Sequence, residues 1–369
     1  MHNKNIYSGQ NSTYENKRMI PEKKYMFRCL QLALAGKGQV SPNPLVGAVI
    51  VHKGKIIGEG YHRQYGTAHA EPQAIASVKD QSLLKDSTLY VNLEPCSHYG
   101  RTPPCASLII EKQIPRVVIG SFDPYPEVSG RGICLLKEAG IEVETNFLRE
   151  ECEEINKRFL TFYRKNRPYI ILKWAQSSDN FIDRKRTQGE EIPPVHFSNE
   201  LTRLFVHKQR AEEDAVLIGT NTALLDNPSL NIRFWSGKNP IRVILDKQLK
   251  IPSNYHLYNM EMAPSLFLTE KEYDSTENIL FGKIDSNQHL PSQILQILHE
   301  LKIQSLIIEG GFRLLSLFIN EKLWDEAHIE VSPITLKEGV LAPTLRGKLQ
   351  SIKGARNSKI FVYKNILIP

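Results

Sequence analysis

A histidine and a glutamate two positions apart, His69 and Glu71, are followed after a strand-like run by Glu94-Pro95-Cys96 and, nine positions beyond, by Cys105. One imidazole and two thiolates are ligands of the kind Zn2+ takes. Three protein ligands leave a fourth tetrahedral position for water, as catalytic rather than structural zinc sites do. Coordination lowers the pKa of that water toward about 7, which makes hydroxide available at neutral pH. A carboxylate near the metal but not on it, here Glu71, can take the water proton and return it to a ring nitrogen and a departing amine, the chemistry of a zinc deaminase. Both cysteines fall near the starts of predicted helical turns, where the helix dipole favours thiolate. The residues alone leave two alternatives open: a closed site with His98 or His62 as fourth ligand, or a buried histidine with two inert cysteines.

The surrounding pattern supplies elements able to carry these groups. Pro21 opens a helix in which Tyr25, Met26, Cys29, Leu30, Ala33 and Leu34 recur at helical spacing until Gly36. Runs 46–51 and 55–60 read as strands joined through His52-Lys53-Gly54, a hairpin signal. A helix over 70–78 takes Pro72 in its first turn, where the missing N–H costs little. Buried strands are predicted at 88–93 and 116–120, and helices near 105–112 and 132–139. This order implies a layered α/β domain. A charged helical stretch over 150–165 ends before Asn166-Arg167-Pro168, and the domain boundary falls there. The division is thus a flexible extension over 1–20, polar and without apolar period, a first domain over 21–166 and a second over 167–369. The second shows strands at 169–174, 215–219, 241–246, 305–309 and 326–331, with helices at 198–210, 292–301 and 312–320, again an α/β pattern. Residues 254–288 carry no readable period, and no internal repeat or low-complexity tract is present.

At 369 residues and 41% apolar, the chain fits two globular domains. Its 47 Lys and Arg against 40 Asp and Glu leave +7, scattered apart from short clusters such as Arg184-Lys185-Arg186. Such a field suits phosphorylated small molecules as well as nucleic acid, and solvated surface charge accounts for most of it. No apolar run is long enough to span a membrane and no h-region follows the first charges. Five cysteines are too few for a disulfide framework. A soluble, cytoplasmic protein is expected.

The H-A-E at 69–71 and the E-P-C-S-H-Y-G-R-T-P-P-C over 94–105 resemble the riboflavin-specific deaminase of the bifunctional deaminase-reductase family. Other cytidine-deaminase-like proteins usually carry two residues between the cysteines; here there are eight. The longer loop brings Ser97, His98 and Arg101 toward the mouth, where a guanidinium could grip a ribose phosphate. Ser41-Pro42-Asn43-Pro44-Leu45-Val46-Gly47, Gly60-Tyr61-His62 and Phe122-Asp123-Pro124 extend the likeness. The resemblance implies a cytidine-deaminase-like three-layer α/β domain holding Zn2+ on His69, Cys96 and Cys105, with Glu71 catalytic. It also implies that Asn43 reads the pyrimidine edge and that His62 and Arg101 help hold the ribotide. Read without it, Asn43 is a turn residue between prolines and His62 a surface histidine.

In the second half, Ile308-Glu309-Gly310-Gly311 joins a strand to a helix, whose first N–H groups can receive a pyrophosphate; a plain strand-to-helix turn reads the same. Polar loops at 219–222 and 226–233 follow a buried strand, the usual place for ligands in open α/β sheets. Together these features resemble the family's reductase domain from about Pro168 onward, which implies a dihydrofolate-reductase-like α/β fold that binds NADPH. By that resemblance Lys173, Arg210, Leu230, Arg233 and Glu309 meet the substrate, with arginines on its phosphate. Thr222, Asp226 and the turn formed by Gly311, Phe312, Arg313, Leu314, Leu315, Ser316 and Leu317 meet NADPH. Asp226 would lie near the reacting ends of both ligands, a catalytic position that orients the nicotinamide or relays a proton, while hydride transfer itself needs mainly positioning. Three departures stand at cofactor-facing positions. Gln176 replaces a small residue, His196 replaces an expected Trp, and Ser177-Ser178-Asp179-Asn180 replaces S-L-D-G, Asn being tolerant of positive φ. Lys247 is either a 2′-phosphate partner or a solvated lysine.

The implied function is hydrolytic deamination of 2,5-diamino-6-(5-phosphoribosylamino)pyrimidin-4(3H)-one followed by NADPH reduction of the ribosyl group to ribityl. A small-molecule substrate, a homo-oligomer and no nucleic-acid or membrane partner go with it. Two rivals remain. A nucleic-acid base deaminase with an unrelated appendage would need a basic, aromatic-studded groove that the sequence does not concentrate anywhere. A non-catalytic chain with a structural zinc and a nucleotide-sensing reductase remnant is opposed by the intact Glu71 and left open by the altered 176–196 region.

Overall fold

The computed structural model describes residues 20–98, 103–125, 129–190, 192–277 and 279–366. The expected extension therefore falls outside the described residues except for Ile20, and Arg101 falls outside them too.

The first half runs α1 (Lys23–Leu34), β1 (Gly47–His52), β2 (Lys55–Tyr61), α2 (Ala70–Ser77), β3 (Ser87–Leu93), α3 (Cys105–Glu111), β4 (Arg116–Ser121), α4 (Arg131–Glu138), β5 (Glu142–Glu144), α5 (Arg149–Ile155) and α6 (Lys157–Lys165). Its sheet has the order β2-β1-β3-β4-β5, antiparallel through β2, β1 and β3 and parallel from β3 to β5. Strand alternation decides which helix covers which face. Ala48, Ile50, Leu89, Val91, Val117 and Ile119 pack under α2, α3 and α4, whereas Val49, Tyr90 and Val118 meet α1 and Cys152 of α5. Covered on both sides, β3 is buried along its whole length, the three-layer arrangement its near-continuous apolar run implies.

The second half runs β6 (Tyr169–Gln176), β7 (Phe181–Asp183), α7 (Glu200–Glu212), β8 (Ala215–Gly219), α8 (Thr220–Asp226), β9 (Ile241–Leu245), β10 (Ser265–Thr269), β11 (Ile279–Lys283), α9 (Leu290–Glu300), β12 (Ser305–Ile308), α10 (Phe312–Asn320), β13 (Glu326–Val331), β14 (Val340–Leu341), β15 (Lys348–Ala355) and β16 (Ser358–Lys364). Nine strands form one sheet in the order β11-β10-β9-β8-β12-β6-β13-β16-β15, parallel up to β13 and closed by the antiparallel β16 and β15. Lys173, Trp174 and Ala175 of β6 and the loops at the C-terminal ends of β8, β9 and β12 converge on one crevice, as open parallel sheets require of a ligand site. Among the described residues no helix is long and apolar enough to cross a membrane.

The chain passes from one sheet to the other between Lys165 and Tyr169. Asn166 takes a left-handed turn with φ of 52°, and the buried Arg167 guanidinium grips Asp325 through two bonds of 2.6 and 2.9 Å. The halves also touch through Lys157 and Glu326 at 2.5 Å, Arg158 Nε and Glu213 at 2.6 Å, and the stacked rings of Phe162 and His299.

Several segments differ from the sequence reading, the short strands β5, β7 and β14 among them. The helix expected over 150–165 is two, broken at Asn156, because that side chain turns inward to bond both backbone groups of Leu45. The unreadable 254–288 stretch contains β10 and β11. The polar loop at 219–222 opens α8. A C-terminal hairpin, β15 and β16, had no counterpart in the predicted elements.

Candidate functional site

Two cavities, one in each half, gather most of the predicted residues. The first measures about 210 Å3 and lies where α2 begins against the ends of β3 and α3. His69 is the residue before α2, Cys96 follows β3, and Cys105 begins α3. The ligand atoms of His69, Cys96 and Cys105 lie within 4.8 Å of one another. His69 Nδ1 is 3.4 Å from Cys105 Sγ and 3.6 Å from Cys96 Sγ, and the Cys105 N–H donates to Cys96 Sγ at 3.3 Å. The hydrogen bond from Cys105, then the one to His69, lowers the Cys96 thiol to about 4. Sharing with Cys96 and burial raise the Cys105 thiol well above the ordinary thiol range. The bond to Cys96 raises His69 to about 9. Three groups that divide protons in this way are a donor set suited to a divalent soft cation, which displaces those protons on binding.

Glu71, in the first turn of α2, is buried, and its Oε2 has no hydrogen-bond partner among the described residues. Burial first, and the negative charge of Cys96 second, raise its carboxyl to about 7. His62 is also buried, and both ring nitrogens are engaged: Nε2 with Asn43 Nδ2 at 3.0 Å and Nδ1 with the Ala68 carbonyl oxygen at 3.1 Å. It is therefore occupied as a partner of Asn43 and not free to close the metal set. His98 lines the cavity together with Asn43, Asp123 and Tyr125. Burial first raises the Asp123 carboxyl to about 6.

Glu94 stands in the sequence as the first residue of the Glu94-Pro95-Cys96 motif. Its carboxylate accepts the N–H groups of Asp123 (3.4 Å), Gly130 (3.0 Å), Gly132 (3.1 Å) and Ile133 (3.4 Å), so it caps α4 and pins the cavity wall. Gly132 passes so close beneath Pro95 that a Cβ would stand 2.1 Å from its carbonyl oxygen. Asn92 plays the same part opposite, accepting from Gly47 N–H at 2.7 Å and donating to the Leu45 carbonyl at 2.9 Å. A buried Asn inside an apolar strand was the available signal, since it must find partners.

The second cavity is a cleft of about 1270 Å3. Lys173, Arg210, Arg233 and Glu309 line it, as do His196, Thr222, Asp226, Gly311, Phe312, Arg313, Leu314 and Leu317. Arg210 grips Glu309 with Nε at 3.1 Å and Nη2 at 2.6 Å and donates from Nη1 to the Asn231 carbonyl at 3.3 Å. Burial opposes ionisation of Glu309, but the charges of Arg210 and Lys173 outweigh it and hold the carboxyl at about 2. Asp226 accepts from Arg186 at 2.6 Å, and the same guanidinium bonds Asp183 at 2.5 Å.

Four expected contacts do not reach this cleft with their side chains. Leu230 is buried with φ of 53° and packs among Val216, Ile244 and Phe267 behind it. Gln176 is turned inward, accepting from Trp174 Nε1 at 2.7 Å and donating to Asn180 Oδ1 at 2.8 Å. Helical periodicity carries Leu315 into the core, where it is fully buried, and Ser316 off the lining. Asn180 takes φ of 66°, so Gln176 and Asn180 are two departures that bond one another. Arg186, Arg203 and His207 line the cleft and were missed. Arg203, His207 and Arg210 are spaced i, i+4, i+7 on α7, and that spacing was the legible clue.

Comparison with known proteins gives these two sites a common context. A family model described as the RibD C-terminal domain matches residues 168–361, and one described as the cytidine and deoxycytidylate deaminase zinc-binding region matches residues 19–121. The riboflavin biosynthesis protein RibD of Bacillus amyloliquefaciens is 42% identical over 333 residues, 88% of this chain and 87% of that protein. Its counterpart in Aquifex aeolicus is 40% identical over 324 residues, 86% and 89% of the two chains. Among solved structures, a diaminohydroxyphosphoribosylaminopyrimidine deaminase/5-amino-6-(5-phosphoribosylamino)uracil reductase from Thermotoga maritima superposes with a TM-score of 0.82 at 34% identity, covering 93% of this chain and 98% of that one. Acinetobacter baumannii RibD gives 0.81 at 32% identity, covering 92% and 98%.

Proposed function

The chain belongs to the RibD family of riboflavin biosynthesis proteins, as a bifunctional deaminase and reductase, and from that membership we propose the substrate, the cofactors and the residues that serve each step. The substrate of the first step is the 2,5-diamino-6-(5-phosphoribosylamino)pyrimidinone, which loses its amine at the small cavity. The product is reduced by NADPH at the large one.

The observation that carries the first assignment is the His69, Cys96 and Cys105 triangle, with ligand atoms within 4.8 Å, beside a buried carboxylate oxygen that has no partner among the described residues. Those three residues would hold Zn2+. When bound, the ion supplies a Lewis acid that brings the pKa of water to about 7. Glu71 takes one proton from water and passes it to the ring nitrogen, then carries a second, from the hydroxyl added to the ring carbon, to the leaving amine, work for which a desolvated carboxylate is suited. With its Nδ2 committed to His62, Asn43 offers Oδ1 to a donor on the pyrimidine edge, and His62 fixes the orientation of that amide.

For the reduction, Lys173, Arg203, Arg210 and Arg233 line one cleft, and their charge suits a ribose phosphate. Glu309 holds Arg210 in place and is a second polar contact for the substrate. The start of α10 and Thr222 would take the NADPH side, with Asp226, fixed by Arg186, near the reacting ends. Such an arrangement lowers the barrier by orienting two ligands, since the hydride comes from the cofactor. Five free cysteines fit a reducing cytoplasm, where we place the protein.

The test follows ammonia release and NADPH absorbance separately on the aminopyrimidine ribotide and on its deaminated product. Chelation of zinc should stop the first signal and spare the second. Ammonia release from fully chelated protein, or NADPH consumption only with an unrelated substrate, overturns the corresponding half.

A further inference from the structure

The loop that carries Asn43 is held from both halves of the molecule. On its far side the anchors belong to the deaminase domain: Leu45 N–H donates to Asn156 Oδ1 at 2.8 Å, and the Leu45 carbonyl accepts from Asn156 and Asn92, each at 2.9 Å. On its near side the anchors come from the reductase domain. Gln304 Nε2 donates to the Pro42 carbonyl oxygen at 2.7 Å, and the Ser41 hydroxyl is the first group opposing the rise that burial imposes on the Asp214 carboxyl. Just upstream, Lys37 pairs with Glu212 at 2.7 Å, and Gly38, with φ of 78°, runs so close to Ala211 that a Cβ would stand 2.5 Å from its carbonyl oxygen.

The two reaching groups brace each other. The Gln304 N–H donates to Asp214 Oδ2 at 2.8 Å, and the Asp214 N–H donates to Ser305 Oγ at 2.8 Å. Gln304 is buried, and neither it nor Asp214 lines the reduction cleft. Asn43 follows Pro42 directly; its N–H donates to the Val40 carbonyl at 2.8 Å, and its side chain meets His62. A shift of the Pro42 carbonyl is therefore a shift of the Asn43 amide.

We propose that Gln304 and Asp214 are positioning residues for deamination, so that the reductase domain completes the deaminase site by fixing the backbone at Ser41 and Pro42 and with it the amide of Asn43. This rests on the reading of Asn43 as a substrate contact. Small displacements of such contacts are felt in binding because the geometry must be held to a fraction of an ångström.

The experiment measures deamination and reduction separately in the zinc-loaded full chain. Gln304→Met keeps length and removes the donor. Losing one neutral hydrogen bond should raise the deaminase KM about five- to tenfold with kcat nearly unchanged, and leave both reductase constants as they were. Ser41→Ala removes the hydroxyl that acts on Asp214 by a change made within the deaminase domain and should give the same split; the double variant should be less than additive. An unchanged deaminase KM in both variants, or a parallel fall of both activities, overturns the proposal. Asn43→Ala separates the two failures. If it raises KM while the Gln304 and Ser41 variants do not, the positioning claim alone falls. If it too leaves KM unchanged, the assignment of Asn43 fails and the proposal with it.

Discussion

The two cavities are built by opposite means. The small one takes its reactive atoms from two short motifs, at the start of α2 and around the end of β3 and start of α3, and closes them into about 210 Å3. The large one spreads over about 1270 Å3, and its polar groups arrive singly from β6, α7, the loop after α8 and the turn before α10. The difference follows from the chemistry. Activating water requires particular donor atoms within bonding distance of one point. Transferring a hydride between two bound molecules requires mainly a shaped surface with charges at its rim. Failure should accordingly be abrupt in the first cavity and graded in the second.

The most severe test of that contrast is Glu71→Gln. Deamination should fall by about 10² to 10⁴-fold while zinc content and reduction are retained; a fall of less than tenfold would remove the carboxylate from proton transfer. Next is Arg210→Met, which leaves the Glu309 carboxylate buried without its partner. It should destabilise the reductase half by about 3 to 5 kcal/mol in a urea titration and depress reduction, leaving deamination intact below the transition. A loss under about 1 kcal/mol would mean that Lys173 alone suffices to hold Glu309.

His207 supplies a pH test of intermediate size. Burial, with the charges of Arg210 and Arg233, holds its imidazole down to about 4, and its Nδ1 accepts the Arg233 N–H at 3.0 Å. The folded value lies below the ordinary value of about 6.5, so the unfolded chain binds the extra proton between the two. The stabilising contribution is complete above about pH 6.5 and is lost as pH falls through about 4. His207→Gln keeps a polar side chain that does not titrate and should flatten the dependence of the urea midpoint on pH in that window; an unaltered slope would exclude this group. The mildest effect is expected at Gln176→Ala. The Trp174 indole N–H loses its acceptor, at a cost of about 1 to 3 kcal/mol, while the KM for NADPH should hold within about twofold because Gln176 does not line the cleft. A large rise in that KM would show that the cleft is sensed through Trp174.

The same contrast governs what could be read before any coordinates. In the first half, His69, Glu71, Cys96 and Cys105 carry rare chemistry at fixed spacing, and the alternating apolar runs of β1, β3 and β4 announce their sheet. In the second half the contacts are separated by most of a domain, and each taken alone is an ordinary loop or helix residue. Leu315 shows the cost of carrying over a whole turn at once, since helical geometry sends every third or fourth side chain to the core. The segment 254–288 was illegible because β10 and β11 are short apolar runs between long polar connections. The exposed face of β15 lacks the alternation that marks a half-buried strand. Asn156 broke a helix for a reason that lies 111 residues away at Leu45, a tertiary demand no local window contains.

One feature of the small cavity bears on how it could be reshaped. Glu94 stands two residues before Cys96 and gathers four N–H groups from the segment that includes Asp123 and the first turn of α4, with Gly132 wedged under Pro95. The Cys96 sulfur and the cavity wall therefore travel as one clamp. Any attempt to admit a bulkier base by swinging the Asp123 side outward would drag Cys96 with it. The opposite rim is tied as well, because His62, which holds Asn43, bonds the Ala68 carbonyl and stands edge-on to the His69 ring.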